Sequence, residues 1–135
     1  MNNEDAYFGT IYVNFEMAHR DKYDSIEKLK RIIDEITGFK PETSWEARTN
    51  NIDITIRFNE SYDKRETERG DFVYYPFYLE IVVQDQADTD KALNDVCTLI
   101  LGLRANGANV IPVCDFEEEI ETRIGKDRVN WRLNK

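Results

Sequence analysis

Hydrophobic and polar positions alternate over residues 7–16 in the rhythm of a strand. Ile11, Val13 and Phe15 share one parity, and Phe8, Thr10, Tyr12, Asn14 and Glu16 share the other. The same two-residue period returns at 52–58, 77–83 and 110–114, which predicts four strands. Between them the period becomes helical. Ile26, Leu29, Ile33 and Ile36, joined by Ile32, mark a helix over 25–37. Leu93, Val96, Cys97, Ile100 and Leu103, widened by Leu99 and Leu101, mark a second over 89–105. Asp24 or Ser25 starts the first, with Glu27 three residues after Asp24 as in a capping box, and Gly38 followed by Pro41 ends it. Asp88 or Thr89 caps the second, which stops before Gly107.

The resulting order is strand, helix, strand, strand, helix, strand. It is the split βαβ, or ferredoxin-like, arrangement (βαββαβ): an α+β sandwich whose four-stranded, mainly antiparallel sheet carries two helices on one face. A chain of 135 residues makes a single domain and buries roughly two-thirds of its unfolded surface, without help from a disulfide or metal. The core is expected over about 6–121, followed by a C-terminal extension at 122–135. There Val129, Trp131 and Leu133 alternate with Asn130, Arg132 and Asn134, as in a strand or flap packed on the sheet.

Two segments read less simply. Trp45 and Ala47 have one parity while Ile52, Ile54, Ile56 and Phe58 have the other, so 45–58 is either one bulged strand or a small hairpin turning at Asn50-Asn51. The connection 59–71 is rich in both charge signs and reads as a solvated hairpin loop. The apolar stretch 72–83 belongs at the sheet centre, with regular pairing from Phe77 because Pro76 has no N–H to give. Pro112 places the last strand at an edge.

With both helices on one face, the opposite sheet face stays open. Phe8, Tyr12, Tyr74, Tyr78 and Val82 are assigned to it, among Thr10, Asn14, Glu16, Asp53, Thr55, Arg57 and Glu80. So aromatic a surface marks an interface, to be covered by the chain's own tail, a second copy, or an outside partner or ligand. The candidate binding residues are Tyr12, Glu16, Tyr74, Tyr78 and Glu80.

Charge narrows the partner. A formal net charge of −9 opposes a phosphate-backbone ligand, and no Lys/Arg-Gly-Phe-like RNA signature is present, so nucleic acid is not expected. No apolar run approaches the ~20 residues of a membrane span. The acidic start Met-Asn-Asn-Glu-Asp lacks the order of a secretory signal, which points to the cytoplasm. Cys97 and Cys114, both in apolar segments, read as buried thiols.

Catalytic and cofactor chemistry finds little support. His19 is the sole histidine and sits in a polar loop. Asp115, Glu117, Glu118, Glu119 and Glu121 lack the alternate spacing and glycine turn of a calcium loop, so no metal is expected. Glu117, Glu118 and Glu119 are instead a second candidate docking surface, set against the basic residues Arg123, Lys126, Arg128, Arg132 and Lys135. No phosphate-binding glycine loop or Gly-x-Ser-x-Gly elbow occurs, and no cofactor is expected. The reading is a non-enzymatic interaction module, most concretely an acidic, immunity-type inhibitor masking a basic enzyme, or a self-associating one. The alternative is a small-ligand sensor or regulatory domain.

Overall fold

The computed structural model describes residues 6–15, 22–38, 45–84 and 87–124. Strand β1 (Ala6–Phe15) is followed by helix α1 (Lys22–Thr37), then β2 (Glu46–Arg48), β3 (Ile52–Phe58) and helix α2 (Lys64–Glu68). A 3-10 turn (Phe72–Tyr74) leads into β4 (Phe77–Val83), helix α3 (Thr89–Ala105) and β5 (Ala108–Cys114). A further helix, α4, occupies 117–124. The class is α+β. The strands form one five-stranded sheet in the order β2-β3-β4-β1-β5, every neighbouring pair antiparallel. No helix of the described residues is long and apolar enough to cross a membrane.

The fifth strand corrects the expected four. The backbone turns at Thr49–Asn51 and lays Glu46, Ala47 and Arg48 against Thr55, Ile54 and Asp53. Thr49 drives the turn: its Oγ1 accepts from the amides of Asn51 (3.0 Å) and Ile52 (3.1 Å). The parity conflict between Ala47 and Ile54 therefore disappears, because the two face each other from opposite sides of a hairpin and are both buried.

Alternation decides which face is dry. Ile11 and Val13 of β1, Ile54 and Ile56 of β3, and Leu79 and Ile81 of β4 are buried together with Leu29 and Ile33 of α1 and Leu93, Ile100 and Leu103 of α3. Each such side chain is worth about 1.5–3 kcal/mol for leaving water. Two glycines allow close approaches, Gly102 between helices α3 and α1 and Gly9 between the neighbouring strands β1 and β5. A Cβ on Gly102 of α3 would meet Ile36 Cγ1 of α1 at 2.9 Å, and one on Gly9 would come within 2.6 Å of the Val113 carbonyl oxygen in β5. Asp88 caps α3 by accepting from the Asp90 amide at 2.8 Å. α1 begins at Lys22, ahead of the expected Asp24 or Ser25.

One residue leaves its assigned face. Pairing of β1 with β4 slips between Tyr7 and Gly9, so Phe8 is the extra residue of a bulge. The bulge turns Phe8 into the core, 6% exposed and stacked on Phe116 at 5.2 Å, rather than onto the open face. Phe116, Ile120 and Ile124 bring α4 onto the same core, the last two fully buried. The expected tail strand with Val129, Trp131 and Leu133 lies outside the described residues, as does His19.

Candidate interaction face

Sheet register assembles the helix-free face row by row. Arg57, Tyr78, Tyr12 and Ile111 stand opposite one another across β3, β4, β1 and β5, and Thr55, Glu80, Thr10 and Val113 form the next row. The Tyr12 and Tyr78 rings meet with centroids 5.9 Å apart, tilted by 47°. Arg57 crosses diagonally from its row to Glu80, Nε to Oε1 at 3.0 Å. The hydrogen bond to Glu80 is the main cause that raises the Arg57 pKa, so the guanidinium stays charged. Both partners are over a third exposed, so the pair orients the face more than it stabilises the fold.

The connection between β3 and β4 is solvent-exposed over most of 60–71, as its charge suggests, but it is built around helix α2 rather than being a plain hairpin loop. Asp63 caps α2 by accepting from the Glu66 amide at 3.0 Å, and Asp71 caps the 3-10 turn. Asn59 holds the two ends together. It is 8% exposed; its Nδ2 donates to the carbonyls of Val73 (3.0 Å) and Tyr75 (2.7 Å), and its Oδ1 accepts from the Ser61 amide. The Thr67 hydroxyl donates to the Tyr74 carbonyl at 2.6 Å. This built flap carries Phe72 over the sheet, its ring edge-on to Tyr12 at 5.3 Å.

The candidates thus separate. Tyr12, Tyr78 and Glu80 sit together on adjoining rows. Tyr74, expected beside them, lies in the 3-10 turn and not in a strand, and the neighbouring Phe72 makes the contact with Tyr12. Glu16 is outside the described residues. Phe72 was missed because it was read as the start of the apolar stretch 72–83 at the sheet centre. The signal was Asp71 just before it, able to cap a turn, with Pro76 holding regular pairing back to Phe77.

Glu117, Glu118 and Glu119 lie on α4, and two of them are engaged within the chain. Glu117 Oε2 accepts from the Cys114 amide at 3.0 Å. Glu119 binds Arg123 at 2.9 Å, and the same guanidinium reaches Asp90 of α3 at 2.6 Å and Asn94 at 2.5 Å. Those acids hold α4 to α3 and β5, while Glu118 faces solvent.

Both cysteines are free thiols; Cys97 is buried and Cys114 half-buried. Burial pushes the Cys114 pKa up, the carboxylates of Glu117 and Asp115 push it further, and a backbone hydrogen bond from Phe116 opposes them. A raised thiol pKa opposes nucleophilic use. Iodoacetamide should therefore modify native Cys114 more slowly than the unfolded chain at pH 8. Because the unfolded thiol ionises first, stability should also decline as pH rises past the ordinary thiol value of about 8.5; a flat melting temperature between pH 7.5 and 10 would contradict this.

One concavity of about 480 Å³ lies away from the face, lined by Ile36–Gly38 at the end of α1, Arg48–Asn51 of the hairpin, and Asp95. Asp95 accepts from the Thr49 hydroxyl (2.6 Å) and the Asn51 amide side chain (2.9 Å), tying the hairpin to α3. Among the described residues no three His, Cys, Asp or Glu side chains group as metal ligands. No family model, curated protein or solved structure matches this chain.

Proposed function

We propose that this chain is a non-enzymatic protein-interaction module that docks through its helix-free face. Its most concrete form is a cytoplasmic, immunity-type inhibitor that masks a basic enzyme. The observation that carries the reading is the cluster of Tyr12, Tyr78 and Phe72, held by strand register and a hydrogen-bonded flap beside the Arg57–Glu80 pair. Rigid aromatic side chains on a pre-formed face are the usual anchors of protein interfaces. The net charge of −9 supports a basic partner, because it would accelerate encounter. The ferredoxin-like core belongs to the same proposal: the longer strands run β3-β4-β1-β5, with β2 added outside β3.

The test is affinity capture of the tagged chain from its source cells against a Tyr12→Ser/Tyr78→Ser variant of unchanged circular dichroism. Loss of two anchors should weaken a stoichiometric partner by at least ~30-fold. Equal recovery by both chains would exclude this face. The concavity at Asp95 favours a second reading, a small-ligand sensor. Under it, capture returns no partner, and a metabolite screen finds a thermal shift that Asp95→Asn removes.

A further inference from the structure

Among the described residues β5 is an outer edge of the sheet, where another strand would add, and three features there oppose it. Neighbouring residues of an antiparallel strand send their N–H and C=O alternately to the two sides, so Val110, Pro112 and Cys114 turn their polar groups the same way. Pro112 has no N–H, which places this set on the side away from β1. The contacts agree. The Val110 carbonyl accepts from Arg104 Nη2 at 2.7 Å, and the Cys114 amide donates to Glu117 Oε2 at 3.0 Å. Each residue of the outward set has therefore lost a group that an incoming strand needs. The protection is required by the sequence: Ile111 and Val113 are strand formers, and Val113 is 40% exposed.

We infer that α3 and α4 latch the β5 edge, through Arg104 and Glu117, against pairing with β5 of a second copy of this chain. Glu117 is thus an autoinhibitory contact rather than a docking residue. Its release gives the edge back its last N–H, and Pro112→Val restores the middle one. Val110 still has its own N–H and Pro112 its carbonyl, so an unlatched edge offers an almost complete ladder.

The experiment compares the full chain with Glu117→Ala and with Pro112→Val/Glu117→Ala, by light scattering after size exclusion from 5 to 500 μM. The parent's mass profile is the baseline, so any association through the helix-free face cancels. The double variant should shift to dimers and larger species at concentrations where the parent does not. In Glu117→Ala, the Cys114 amide should exchange with solvent at least ~10-fold faster. A folded double variant with the parent's mass profile would overturn the latch. Should the double variant fail to fold, unchanged exchange at Cys114 in Glu117→Ala would overturn it equally.

Discussion

Replacing Gly9 by alanine is expected to destabilise the protein by about 3 kcal/mol, the upper range for forcing a methyl into a filled site. In a chain of this length the melting temperature should fall by roughly 10 °C. The reason is what the added carbon meets. It would lie 2.6 Å from the Val113 carbonyl oxygen and against Cys114 Cβ, both fixed by the pairing of Gly9 with Cys114 across β1 and β5. Relief would require the strands to separate. Gly102→Ala provides the contrast: its new methyl meets the flexible end of Ile36, and alanine's helix propensity returns up to ~1 kcal/mol. It should remain within about 1 kcal/mol of the parent. A Gly9→Ala protein as stable as Gly102→Ala would refute the close β1–β5 contact.

Asn59→Asp is expected to open the flap. The amide donates to two backbone carbonyls from a site 8% exposed, and a carboxylate there would place negative charge against both oxygens. Leaving these groups unsatisfied costs about 3 kcal/mol, or roughly hundredfold faster amide exchange at Thr67, Gly70 and Tyr75. The sign of the pH dependence follows. Burial beside carbonyls raises the pKa of the introduced carboxyl, so the defect is smallest at low pH, where the protonated acid can donate, and grows as pH rises. Exchange in the flap that matches the parent at pH 7 would contradict the assigned role of Asn59.

The parts of the fold that were legible in the sequence are those where one period runs unbroken. Ile52, Ile54 and Ile56, and Phe77, Leu79 and Ile81, alternate without interruption, and all are buried on the helix side. The apolar stripe of α3 with its Asp88 cap reads equally well. Legibility failed where backbone geometry broke the period. Phe8 has the parity of the open face, yet a bulge set by the β1–β4 register turns it inward. The strand β2 is only three residues long, too short to show a period of its own. The parity break between Ala47 and Ile52 nevertheless left a hairpin at Asn50-Asn51 as one of two readings, and it is the hairpin that forms. At the candidate site, Tyr12, Tyr78 and Glu80 followed from alternation alone. Phe72 did not, because it reaches Tyr12 through caps and a buried asparagine, neither of which composition reveals. On α4 the acids' partners are close in sequence, Glu119 pairing with Arg123 four residues on and Glu117 with the Cys114 amide three before. What the sequence did not show is the reach of Arg123 to Asp90 and Asn94, which tertiary packing sets.

The central claim is that the face bearing Tyr12, Tyr78 and Phe72 is the one a partner covers. Hydrogen–deuterium exchange by mass spectrometry, on the chain alone and bound to the protein it captures, tests this most directly. The account predicts added protection in peptides spanning 10–14 and 77–82 and over the flap at 59–76, with α3 unchanged. Protection confined to α3 and α4, with the sheet peptides unaltered, would contradict it.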